Sequence, residues 1–152
     1  MYEVEVRTVE EQPTAVVRAR VDEAGIGTWF AGAYATVTTH LRQAGVATVG
    51  LPFARCAKDA TGFDVEAGLP VEQPIEGDDE VLPLTLPGGP AAVTWHQGAY
   101  ATAEPAYEAI AEWLDREGRE AAGPPWEIYH GDASTGPDAT TWKTEIVQPL
   151  QA

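Results

Sequence analysis

Glu127 and Tyr129 alternate with Trp126 and Ile128 in a run of strand-forming residues, so a carboxylate and a phenol come to share one side of a strand. A carboxylate set among aromatic rings can hold a cation, and one kept from water titrates upward and can serve as a general base. Glu127 is therefore the first candidate for ligand binding, and for catalysis if the chain is an enzyme, with Tyr129 and Tyr100 as assisting phenols. The ordinary alternative is a solvated or ion-paired strand residue. Trp95, Trp126, Trp142, Tyr100 and Tyr129 crowd the second half of the chain, where they either give a flat ligand surfaces to stack on or fill the core. Glu145 stands on the following strand and could join the same cleft or pair with Arg55.

Other chemistries find little footing. His40, His96 and His130 lack metal-ligand spacing, and His96 ahead of Gly98 reads as the close of a strand that leads into a helix. The single cysteine, Cys56, excludes an internal disulfide and a thiolate metal cage, and it reads as a small packed side chain. Phosphate-binding loops, dinucleotide fingerprints, serine nucleophile elbows and HExxH motifs are missing. Neither a metal nor a cofactor is expected.

The elements that must position these groups show themselves through an internal repeat. Shifted by 73 residues, 30–56 aligns without gaps on 103–129, with identities at Ala33/Ala106, Tyr34/Tyr107, Leu41/Leu114, Gly45/Gly118, Gly50/Gly123 and Pro52/Pro125. Beyond a hairpin insertion, 63–71 answers 142–150. Phe30, Tyr34, Val37 and Leu41 fall on one helical stripe, which Ala103, Tyr107, Ile110 and Leu114 repeat. Gly45 and Gly118 then stand where a left-handed cap ends each helix. Strands are predicted before the helices at 14–21 and 91–98, after them at 50–58 and 123–131, and once more along the matching segments 63–71 and 142–150. Residues 2–10 read as an extra strand, and 81–86 as an edge strand inside a Pro- and Gly-rich connector at about 74–90.

The expected fold class is α+β, a single domain over residues 1–152 with pseudo-repeats 1–73 and 79–152. Tandem strand-helix-strand-strand units would form one twisted antiparallel sheet with two helices on one face and a ligand cleft on the other. A duplicated scaffold repeats itself, so a functional site should show where the halves disagree. Ala54 stands where the second half has Glu127, and Cys56 where it has Tyr129. Phe53 and Trp126 match as aromatic residues. One half thus offers room, with Phe53 and Cys56 in its wall, and the other offers an acceptor and an aromatic plate.

Charge narrows the partners. With 9 Lys and Arg against 24 Asp and Glu, the net charge of −15 repels nucleic acid and favours cationic or neutral ligands. No signal peptide or membrane-spanning stretch is visible, and with one cysteine the chain reads as cytoplasmic.

Taken together, Val93-Thr94-Trp95-His96-Gln97-Gly98-Ala99-Tyr100, Ala106-Tyr107, Trp113, Gly123-Pro124-Pro125-Trp126-Glu127-Ile128-Tyr129, Trp142-Lys143-Thr144-Glu145 and Pro149-Leu150 resemble the GyrI-like effector-binding family. The first half agrees through Arg18-Ala19-Arg20-Val21, Gly50-Leu51-Pro52-Phe53 and Phe63-Asp64-Val65-Glu66. The resemblance implies the duplicated fold and the ligand-sensing role this family plays in AraC-type and multidrug-responsive regulators. It also implies a buried glutamate that meets lipophilic cations, at Glu127, and a second family carboxylate at Glu145. Those regulators carry a helix-turn-helix ahead of the domain, whereas this sequence opens in its first strand, so direct DNA contact is not expected. Cys56 departs from a family position where an aromatic residue is common. The leading expectation is binding of an aromatic, cationic or neutral lipophilic molecule between the halves. A hydrolase opening cyclopropane rings of DNA-alkylating natural products, with Glu127 as general base, is the enzymatic alternative. Inhibition of a protein such as gyrase is the third.

Overall fold

The glycines that follow the two helical stripes, Gly45 and Gly118, have φ of 71° and 62° in a computed structural model of the chain, which describes residues 2–22, 24–98, 103–130 and 142–152. A side chain with a Cβ is strained in that left-handed region, which is why both helices stop there. The residue after each glycine reaches back to close the last turn: Val46 N donates to Leu41 O at 3.1 Å and Arg119 N to Leu114 O at 3.0 Å. The helices so ended are α1, Ile26–Ala44, and α2, Glu104–Glu117. Among the described residues no side chain caps the start of either one.

The strands are β1 Glu5–Val9, β2 Gln12–Val21, β3 Phe53–Asp59, β4 Gly62–Pro70, β5 Leu82–Leu86, β6 Gly89–Gln97, β7 Trp126–Tyr129 and β8 Lys143–Pro149. Strands that pair mostly antiparallel, together with two helices, make the expected α+β class.

The chain forms two compact units. One comprises residues 11–87, where β4 lies between β3 and β2, and β5 adds at the outer side of β2. Helix α1 buries Ala33, Val37 and Leu41 and packs on β2 and β4. The other comprises residues 1–10 and 88–152, where the order is β1, β6, β8, β7. Helix α2 buries Ala106, Ile110 and Trp113, with Ile146 of β8 packed against Ala106 and Ile110. The extra strand read at residues 2–10 is β1, which pairs with β6 from Glu5 opposite Val93 to Val9 opposite Gly89.

The buried stripe of each helix is turned slightly from the expected one. Ala33 and Ala106 take the centre, while Tyr34 and Tyr107 sit half-buried at its margin. Alanine lets the helix approach the strands closely, and the tyrosine beside it is left free to reach a strand with its hydroxyl. In the 11–87 unit Tyr34 donates to the backbone oxygen of Phe53 at 2.9 Å.

Candidate ligand-binding site

Strand β7 is four residues long and takes its register from β8: Trp126 opposite Val147, Glu127 opposite Ile146, Ile128 opposite Glu145, Tyr129 opposite Thr144. Side chains directly opposite each other share a face, and neighbours along a strand do not. Glu127, Tyr129, Thr144 and Ile146 therefore lie together, and since Ile146 packs under α2, theirs is the helix face. The expectation of a cleft on the face away from the helices does not hold for Glu127. Alternation within a strand tells which residues share a face, but the helix chooses between the two faces by packing.

On that face the carboxylate is half-buried. Tyr107 from α2 and Tyr129 from its own strand donate hydrogen bonds to it, and His96 acts on it electrostatically. Loss of water pushes the Glu127 carboxyl above its ordinary range, and the two phenols and His96 offset that only in part. His96 is 4% exposed and opposite Thr144 in the β6–β8 register, and its Nδ1 lies 2.9 Å from the hydroxyl of Tyr2. Among the described residues no Lys or Arg pairs with Glu127. The arrangement is a desolvated acid flanked by phenols, able to pair with a cation or, once ionised, to take up a proton.

The other candidates fall elsewhere. Glu145 is on the opposite face, 8% exposed, and is satisfied by His130 Nε2 at 2.9 Å and by the Arg7 guanidinium. Arg55, its expected partner, is bonded to Glu66 at 2.6 Å. Glu66 is the repeat counterpart of Glu145, and it too is held by two side chains, the guanidinium groups of Arg55 and Arg18. Trp95 shares the Glu145 face, 42% exposed, with its ring 4.7 Å from that of His130. Trp126 also points away from Glu127 and at 3% exposure fills core. Trp142, half-buried ahead of β8, accepts a bond from Gly98 N through its carbonyl oxygen at 2.9 Å. Phe53, at 2% exposure, is core of the 11–87 unit, where Cys56 is half-buried. Tyr100 lies outside the described residues.

A hollow of about 860 Å³ opens in the unit of Glu127 but not at Glu127; Tyr2, Val4, Trp95, Glu108, Glu112 and Trp113 are among its walls. Size alone does not make it the functional centre, because the desolvated acid is elsewhere. Tyr2 touches both, through the hollow and through His96.

Two members of the Glu127 cluster are not visible as site residues in the sequence. Tyr107 has an identical counterpart in Tyr34, so a search for differences between halves passes over it; what differs is the partner, a backbone oxygen in one unit and a carboxylate in the other. His96 reads as a strand end, yet its counterpart in the first repeat is Ala19, and that contrast carries the signal.

A sequence profile described as GyrI-like small molecule binding domain matches residues 2–151. Curated protein sequences give no match. Among solved structures, the C-terminal domain of EcmrR is similar with a TM-score of 0.87 and 19% identity, over 99% of this chain and 98% of that one. Against EcmrR in its complex with DNA, the chain spans 57% of the longer protein. A hydrolase from Listeria innocua is similar with a TM-score of 0.71 and 15% identity, over 98% of this chain and 92% of the other. A protein solved bound to tetraphenylphosphonium has a TM-score of 0.65 and 14% identity, over 99% of this chain and 94% of the other. At such identities the likeness is one of fold.

Proposed function

The chain belongs to the GyrI-like small molecule binding domains, and we propose that it captures lipophilic aromatic compounds, cationic or neutral, with Glu127 as the charged contact and Tyr107 and Tyr129 beside it. The observation that carries this reading is the carboxyl of Glu127, half-buried, raised in pKa by loss of water and without a Lys or Arg partner among the described residues. Holding a charge in such a place is unfavourable until a counter-charge arrives. A lipophilic cation supplies that charge together with rings that suit the two phenols. A neutral ligand meets the protonated acid, and an anion is disfavoured by the ionised one. The similarity to a protein solved with tetraphenylphosphonium supports the choice of that cation as a probe. In a titration with tetraphenylphosphonium, Glu127→Gln is expected to weaken binding about tenfold or more, the effect of losing one close charge partner. Equal affinity for both proteins would reject the reading.

Hydrolysis is the second reading, favoured by the same raised carboxyl between two phenols. Ionised Glu127 would take a proton from a water as that water attacks a strained ring carbon, and a phenol would donate to the departing electron pair. Product that accumulates over time with wild-type protein and ceases with Glu127→Ala distinguishes turnover from capture.

A further inference from the structure

Thr144 is fully buried, and its Oγ1 is a side-chain oxygen without a hydrogen-bond partner among the described residues. Native proteins seldom leave a buried hydroxyl in that condition, because the oxygen has given up water and received nothing in return. Register puts it directly opposite His96 on β6 and Tyr129 on β7, and diagonal to Glu127. Nor does packing call for a hydroxyl at this point of the fold. The same place in the other unit is held by Val65, 1% exposed, opposite Cys56 and Ala19. Between the two repeats, four adjacent positions on this face change together: Ala54 to Glu127, Cys56 to Tyr129, Ala19 to His96 and Val65 to Thr144. Three of the polar members have partners inside the protein. Thr144 has none.

We infer that the Thr144 hydroxyl contacts the bound molecule, so that the Glu127 cluster selects lipophilic cations carrying a neutral hydrogen-bonding group, such as an aryl amine, hydroxyl or carbonyl, over cations that carry none. This rests on the assignment of Glu127 as the charged contact. The hydroxyl both donates and accepts, so either kind of group satisfies it. Cation and hydrogen-bonding group are a few ångströms apart in such a ligand, matching the diagonal from Glu127 to Thr144.

Ethidium, a permanent cation with two aryl amines, and tetraphenylphosphonium, which has neither donor nor acceptor, separate the possibilities in titrations of the full chain. Thr144→Val is expected to weaken ethidium about three- to tenfold, the worth of one neutral hydrogen bond, and to leave tetraphenylphosphonium within about twofold. Thr144→Ser keeps the hydroxyl and is expected to bind ethidium nearly as the wild type does. Without ligand, Thr144→Val melts no lower than wild type, since valine already fills the matching place in the other unit. Equal losses for both probes, an undiminished affinity for ethidium, a wild type that ignores ethidium, or a Thr144→Val protein that melts well below wild type each overturn the inference. Glu127→Gln keeps the two claims apart. If it weakens both probes while Thr144→Val spares ethidium, the charge contact stands and the hydroxyl contact falls; if it weakens neither, the site itself is misassigned.

Discussion

On the proposed reading, the proton on Glu127 links ligand capture to stability. Its carboxyl titrates above the ordinary 4.5 when folded, so the folded state binds a proton that the unfolded chain has already released. Stability from this group is complete below the ordinary value and is lost as pH rises through the folded one. Glutamine cannot ionise, so Glu127→Gln is expected to melt higher than wild type near neutral pH. Well below 4.5 the two curves should coincide, and thermal unfolding at several pH values checks this. The affinity for a permanent cation should rise over the same window as the acid loses its proton, whereas a neutral aromatic probe should not follow it. As candidates, Glu127 and Tyr129 stand out in the sequence because small residues occupy their counterparts. Tyr107 is not, because its role depends on what its hydroxyl meets, and a one-dimensional alignment compares residues rather than their partners.

At the scale of elements, period-two alternation and the glycine caps make the strands and helices readable, while the choice of face is not. The four-residue β7 sets that choice through its register on β8, and one residue of slip would exchange Glu127 for Ile128 under α2. Because Glu145 faces the other way and is already satisfied by Arg7 and His130, Glu145→Gln is expected to lower stability by about 1–2 kcal/mol, discounted for the exposure of Arg7, and to leave cation affinity within about twofold. Chemical denaturation alongside a titration tests both halves of the statement. Gly118→Ala introduces a Cβ with open space around it but the wrong backbone angle, so a cost of about 1 kcal/mol from strain alone is expected in the same denaturation experiment.

For the whole molecule, a net charge of −15 gathers cations around the protein before any specific contact is made. Association of a cationic probe should slow several-fold between low and physiological salt as the screening length falls from about 30 to about 8 Å, and stopped-flow mixing with a neutral analogue supplies the flat control. No helix among the described residues is long and apolar enough to cross a membrane. The repeat, the connector and the extra strand are all legible along the chain, but where that extra strand goes is not, since no local pattern names a partner so distant in sequence. Strand β1 is synthesised before its partner and must wait roughly 80 residues for β6, which at about 5–20 residues per second is on the order of 4–16 seconds. Throughout that interval the nascent chain can complete residues 11–87 while β1 is still without its partner strand. A chaperone that shields extended segments would find its client there, and a pause in translation after residue 87 would lengthen the exposure.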